Sequence, residues 1–438
     1  MEQKTDISLF WFRRDLRIDD NCGLYNALIG GQKVLPVFIF DTGILGKLTE
    51  QSDKRVAFIY NSVSDLKREF EKHGSTLLVL YGSPADVFRS LLEKYNIVSV
   101  YANHDYEPYS INRDKSVGEL LKGRGVEFRT FKDQVIFEKS EVVKSDGSPY
   151  TVFTPYSRAW KTALQKSPLP EFPSEHFLGS LFKTEKSYLP DINEIGFSEC
   201  DTMAVNPLIR EDIISNYQLT RDLPSVEGTS NLGIYLRFGR LSIRKIVSVA
   251  LRLNDSWLNE LIWREFFMMI ISNFPYVVDT SFKKKYDLIR WCNDEEEFFK
   301  WCNGMTGYPM VDAGMRQLNQ TGLMHNRVRM VAASFLTKHL LIDWRAGETY
   351  FASKLLDYEL SSNNGNWQWA AGSGCDAAPY FRIFNPYEQQ RRFDPDMVYV
   401  KRWVPEYGTP DYPSPIVDHT FARERALKTY REILSTIS

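Results

Sequence analysis

The sequence predicts an α/β domain, a doubly wound parallel five-stranded sheet, followed by an all-α domain. Three observations carry that prediction. The first third alternates short apolar runs with helical patterns, the stretch after it loses periodicity, and the pattern beyond Pro207 is helical to the end. The implied boundaries are an α/β domain at 1–132, a linker at 133–205 and a helical domain at 206–438.

The strand candidates are 7–12, 34–40, 76–81, 97–102 and 126–131, all rich in β-branched or aromatic residues. Helical patterns fall at about 54–72 and after Pro84 through Tyr95, and the last strand follows a turn at 122–125. Strands that are apolar throughout and alternate with helices imply a parallel sheet covered on both faces. Neither GxGxxG nor GxxxxGK[ST] follows a strand, so neither the dinucleotide fingerprint nor the P-loop is present. The linker reading rests on KSDGSPY and QKSPLPEFPSEH, which concentrate Pro and Ser. There are no internal repeats or long charge blocks.

At 438 residues, two cores are expected. With 43% apolar and 25% charged residues the composition is that of an ordered globular protein. The formal net charge of −2 means that nucleic acid would have to be held by a local basic patch. Cys22, Cys200, Cys292, Cys302 and Cys375 form no CxxC pair or zinc spacing, so no metal is expected and the compartment is a reducing one. The opening residues, MEQKTDISLFWF, offer no apolar segment long enough for a signal peptide or a membrane span. The expectation is an intracellular, cytoplasmic protein with no membrane partner.

The stretch 360–385 is the most informative. Asn363, Asn364 and Asn366 stand beside Trp367 and Trp369 among small residues, followed by Asp376 and Arg382. Small residues allow close backbone approach, amides both donate and accept, and indoles offer flat faces, which suits a pocket for a large planar, heteroatom-rich molecule. In NELIWREFF, Glu260, Trp263 and Arg264 lie within one helical turn, with Glu260 and Trp263 on one face. Read alone, that segment is equally an ordinary half-buried helix. In TGLMHNRVRM, Asn326 and Met330 are one turn apart with Arg327 and Arg329 between them, which alone reads as an amphipathic helix. His325 reads as a structural histidine. Trp291, Trp344 and Trp367 fall in three different helical segments, and an electron-hopping route through them needs a warrant beyond their spacing.

These runs, with GYPMVDAGMRQL, LLIDWRAGE, SNNGNWQWAAGSGCDAAPYFRIFNP and the early LFWFRRDLRIDDN, resemble the photolyase/cryptochrome family across nearly the whole chain and in family order. Within it, the chain is most similar to class I cyclobutane pyrimidine dimer DNA photolyases. The resemblance implies an FAD-binding helical domain and light-driven repair of a flipped-out dimer in DNA, by a protein acting as a monomer. It assigns Tyr217, Thr229, Ser230, Asn231, Leu232 and Gly233 to the FAD phosphates. Trp257, Arg264, Arg329, Asp357, Glu359 and Asn363 fall around the flavin ring and its ribityl chain, with Asn363 facing N5. Trp291, Trp344 and Trp367 match the photoreduction chain, with Trp367 next to the flavin and Trp291 at the surface. Trp263 and Trp369 match the indoles that sandwich the dimer. Glu260 and Asn326 match groups bonding the thymines, and Met330 a thioether on their edge. Arg221, Arg327 and Arg382 match a basic rim for the phosphates. Asn103 and Glu107 stand where some members bind an antenna folate, but EPYSINRD also resembles deazaflavin or flavin binders, so the second chromophore stays open.

Some positions depart from the family pattern. Gly233 and Ile234 replace a Ser-Pro pair, Leu323 a tryptophan, and Glu359 an aspartate. Three rivals are a cryptochrome photoreceptor, a six-four photolyase and a flavoprotein electron carrier. Plant-type cryptochromes carry Asp where Asn326 and Asn363 stand, Tyr at Trp369, and a long C-terminal extension. A six-four enzyme needs a second histidine near Arg329 and Met330. An electron carrier would leave Glu260 and the paired tryptophans unexplained.

Overall fold

A computed structural model of the chain describes residues 5–435. Residues 1–4, on which part of the N-terminal reading rests, and 436–438 lie outside the described residues. The chain forms two compact units. One holds the residues up to Glu138 with Ala163–Ile209 and Leu232–Val249; the other holds Lys139–Thr162, Arg210–Asn231 and the residues from Ala250 on.

The first unit contains a five-stranded sheet among the described residues: β1 (Asp6–Phe12), β2 (Lys33–Asp41), β3 (Leu78–Gly82), β4 (Asn96–Asn103) and β5 (Glu127–Phe131). The order is β3-β2-β1-β4-β5 and every pairing is parallel. Side chains alternate across a strand, so β1 serves two cores. Ile7, Leu9 and Trp11 pack with Val87, Phe88 and Leu91 of the helix Pro84–Lys94 and with Val117 and Leu121 of the helix Pro108–Lys122. On the other face, Phe12 meets Phe70 at 5.8 Å between ring centroids, and Phe40 meets Tyr60 at 6.2 Å, both partners on the helix Lys54–Lys72. This is the doubly wound arrangement expected from the apolar strands. The outer strands β3 and β5 are the least buried, as edges bounded by a single neighbour must be.

The second unit is helical. The stretch 133–205 is divided between the units and contains the 14-residue helix Phe153–Lys166. Tyr156 and Trp160 of that helix are buried, and the Trp160 indole donates to Glu265 at 2.5 Å. The helix Leu360–Ala371 lies close against two others because glycine permits it. A Cβ on Gly365 would sit 2.2 Å from Phe267, and one on Gly347 would sit 2.1 Å from Trp367. Gly372, at φ 90°, ends the helix in the left-handed conformation.

Candidate active site

Three helices of the second unit and the loop after one of them set the site. The helix Asp255–Asn273 starts where the Asn254 side chain accepts from Trp257 N, and carries Trp257, Glu260, Trp263 and Arg264. Trp257 is buried, whereas Trp263 is half-buried with one face stacked on Phe153 at 3.7 Å and an interplanar angle of 4°. The Phe153 amide donates to Asp376 at 2.9 Å. Phe153 was not among the sequence candidates, since it falls in the stretch read as linker. Its signal is the aromatic spacing 153, 156, 160 in FTPYSRAW, a helical stripe set between proline-rich segments.

Trp263, Phe267, Gly365, Trp369 and Asp376 line a cleft enclosing about 330 Å³. A second cleft, of about 590 Å³, is lined by Asn326, Met330, Arg329, Asp357, Glu359, Asn363, Trp367 and Trp369. Trp369 borders both. Of the dimer candidates, Trp263 and Trp369 border the first cleft, while Asn326, Met330 and Trp369 line the second together with flavin candidates; Glu260 is among the lining residues of neither.

Ion pairs and hydrogen bonds fix the polar groups that border the second cleft. Arg329 pairs with Asp357 at 3.0 Å and donates to the Met324 carbonyl at 2.8 Å. Arg264 pairs with Glu359 at 3.1 Å, both largely buried. Asn363 donates to the Glu348 backbone carbonyl at 3.1 Å and to its carboxylate at 2.8 Å, and burial pushes the Glu348 carboxyl up. His325 caps the helix Asn326–Ser334 by accepting from Arg327 N at 3.2 Å. Burial and then the Arg329 charge push its pKa down to about 4, so it is neutral at pH 7. Its Nε2 is buried without a partner among the described residues.

The arginines assigned to a phosphate rim differ from one another. Arg221 pairs with Glu260 at 2.6 Å, and its guanidinium lies 5.1 Å from the centre of the Tyr217 ring. Arg327 pairs with Asp222 at 2.7 Å and lies over Phe393 at 4.4 Å. Arg382 is exposed, with its guanidinium 5.7 Å from the Phe384 ring. Two of the three cations expected to form a basic rim thus already face acids. Tyr217, expected near phosphates, lies by Arg221 and Glu260, and burial raises its hydroxyl pKa above the ordinary value. Thr229, Ser230 and Asn231, the last at φ 52°, fall in the helical unit, while Leu232 and Gly233 fall in the α/β unit.

Trp344 and Trp367 are buried in one core, and Trp291 packs against it partly buried, 6.2 Å from the Tyr430 ring. Trp367 also lies 6.1 Å from Trp301, a fully buried indole that sequence reading passed over as one aromatic among many in FFKWC. The Trp344 indole N–H is buried without a partner among the described residues.

In the α/β unit, Asn103 is buried. Its two N–H groups go to Asp15 and Asn21, at 2.6 and 2.8 Å, and its carbonyl accepts from Gly23 N at 2.9 Å. Glu107 accepts from Arg14 at 3.0 Å and from Arg237 at 2.8 Å. As placed, these two side chains do not fit a folate receptor, and no role for an antenna is derived from them. Among the described residues there is no cluster of metal-ligating side chains and no helix long and apolar enough to cross a membrane.

The family model described as DNA photolyase matches residues 8–174, and the model described as the FAD binding domain of DNA photolyase matches residues 257–410. The deoxyribodipyrimidine photo-lyase of Halobacterium salinarum is 36% identical over 97% of this chain and 98% of its own. The chain belongs to the DNA photolyase family. Photolyase structures match it along its whole length. A bacterial class III photolyase from Agrobacterium tumefaciens superposes with a TM-score of 0.85 at 32% identity, covering 99% of each chain. An archaeal photolyase from Sulfolobus tokodaii, solved with two FAD molecules, gives 0.82 at 34% identity and covers 98% of this chain and 100% of that one. The helical unit of this photolyase-family chain therefore carries an FAD-binding domain. The second cleft fits that cofactor: its amides, the Arg329–Asp357 pair and its aromatic walls provide donors, acceptors and apolar contact for a tricyclic ring with polar edges.

Proposed function

We propose that this protein repairs cyclobutane pyrimidine dimers in DNA under light, as a class I enzyme acting as a monomer inside the cell. The observation that carries the reading is Trp369, a wall shared by the cleft that also presents Trp263 and by the cleft that presents Asn363, Arg329 and Asp357. A dimer already disturbs base stacking and so costs less to flip out than an intact pair. Trp263 and Trp369 hold the flipped bases by their faces, Asn326 and Glu260 bond the pyrimidine edges, and Met330 packs beside them. Arg221, Arg327 and Arg382 take the neighbouring phosphates.

The chemistry that bound FAD would supply there is one electron lent to the cyclobutane ring under blue light and returned after it opens, with no net redox change. The chain's own contribution is position and electrostatics. Trp257, Arg264, Glu359, Arg329, Asp357 and Asn363 orient the ring, while Tyr217 and the run Thr229, Ser230, Asn231, Leu232 and Gly233 border the phosphates. Trp367, Trp344 and Trp291 form the route by which oxidised cofactor is reduced. The test is repair of an oligonucleotide with one cyclobutane thymine dimer by reduced protein, in blue light and in darkness. Light-dependent restoration of thymine is expected; repair of a six-four lesion in its place would overturn the reading.

A further inference from the structure

On the dimer-repair reading, Glu260 and Arg221 have separate jobs, one on the bases and one on the backbone phosphate. In the structure they occupy each other. Arg221 Nη1 lies 2.6 Å from Glu260 Oε1, with the same guanidinium 5.1 Å from the centre of the Tyr217 ring. Neither Arg221 nor Glu260 is sealed off: their side chains are 31% and 33% exposed. A neighbouring pair repeats the pattern, with Arg327 on Asp222 at 2.7 Å.

We propose that the Arg221–Glu260 ion pair makes the site selective for dimers that carry a backbone phosphate. The phosphate takes over the guanidinium, and only then is Glu260 free to bond the pyrimidines. A phosphodiester offers guanidinium the same bidentate geometry as a carboxylate, so the exchange conserves the charge-assisted bonds of Arg221. For Glu260 the exchange changes chemistry. An ionised carboxylate only accepts hydrogen bonds, and a pyrimidine carbonyl needs a donor. The groups facing Glu260 are Arg221, Tyr217 and Asp222; Arg327 in turn faces Asp222. Burial already pushes the Glu260 carboxyl up, and Arg221 is the first group that opposes it. Once Arg221 is drawn to a phosphate, that opposition goes, Asp222 still repels negative charge, and Glu260 takes up one proton from solvent. The protonated acid then donates to the carbonyl. A dimer of free thymine bases leaves Arg221 in place and meets a Glu260 that only accepts.

The experiment has two readouts on full-length protein loaded with FAD. Calorimetric binding of the dimer oligonucleotide in two buffers of different ionisation heat measures proton uptake. Repair under saturating blue light is compared for the oligonucleotide and for the dimer of free thymine bases. Wild type is expected to take up a proton near pH 7 and to prefer the oligonucleotide. Arg221→Gln is expected to lose the uptake and to narrow the preference at least tenfold, chiefly through better use of the base dimer. Glu260→Gln, which always donates and cannot titrate, is expected to lose the uptake while keeping measurable repair. Proton-neutral binding by wild type, or an unchanged preference in Arg221→Gln, overturns the proposal while leaving the repair reading intact. No light-dependent repair of either substrate by wild type would remove the repair reading itself.

Discussion

The carboxyl ends of β1 and β4 and the clefts around Trp369 are both crowded with charged and amide side chains, but they treat them in opposite ways. At the strand ends the charges pair off: Arg14 meets Asp105 and Glu107, Glu107 meets Arg237, Arg17 and Arg244 converge on Asp133, and Asn103 uses both its N–H groups and its carbonyl internally. Around Trp369 the polar groups border open space, and His325 keeps a buried nitrogen without a partner among the described residues. A switch point in a doubly wound sheet is a common ligand site, yet here its charges make a framework. The helical unit instead presents groups arranged for something not part of the chain. Charged residues alone do not separate a scaffold from a site, and neither does pairing, since Arg329–Asp357 and Arg264–Glu359 pair as well; the difference is that the pairs around Trp369 border open space.

That comparison breaks most visibly at Asp133. Asp133→Ala would take from buried Arg17 its carboxylate partner and leave Arg244 with Asp20 alone, and a loss of roughly 3–5 kcal/mol in denaturant unfolding is expected. Burial opposes ionisation of Asp133, but Arg17 and Arg244 outweigh it and hold the carboxyl below its ordinary value. Its stabilising contribution is therefore complete above about pH 4 and lost as pH falls through the lowered native value. Unfolding curves from pH 6 down to pH 3 should show wild type losing stability more steeply than Asp133→Ala.

In the helical unit, Gly347→Ala presses a methyl into Trp367. Overpacking of this kind costs roughly 1–3 kcal/mol. The added signature expected here, which a purely structural defect in the α/β unit would lack, is a shifted flavin absorption spectrum. The smallest effect on folding, and a selective one on ligand, is expected of Trp369→Ala. Unfolding should move little, while affinity for dimer-containing DNA falls by about 1–3 kcal/mol, the usual worth of stacking one base on an aromatic ring. Equal losses for damaged and undamaged DNA would show that the indole does not hold the dimer.

The strands could be read directly, because burial on both faces leaves β1, β2 and β4 apolar nearly throughout. The edges of β3 and β5 were less sharp because only one neighbour constrains them. The helix Phe153–Lys166 was hidden by the prolines on either side of it, although its aromatic spacing was present. Glu260, Trp263, Asn326, Met330 and Trp369 could be proposed from sequence only through the resemblance to the photolyase family, since helical spacing alone reads their segments as ordinary helices. That Arg221 would face Glu260 and Arg327 face Asp222 could not be, since such pairings depend on how separate helices meet. Trp301 was illegible for the same reason: only packing distinguishes it from other core indoles.

The central claim is that flavin and dimer are held next to each other at the clefts that share Trp369, close enough for an electron to pass. The most direct test is the excited-state lifetime of the reduced flavin, with and without an oligonucleotide carrying one cyclobutane thymine dimer. A lifetime shortened by the dimer, and unaffected by the same oligonucleotide undamaged, is predicted. A lifetime that is the same with both, under conditions where the dimer is bound, would contradict the account.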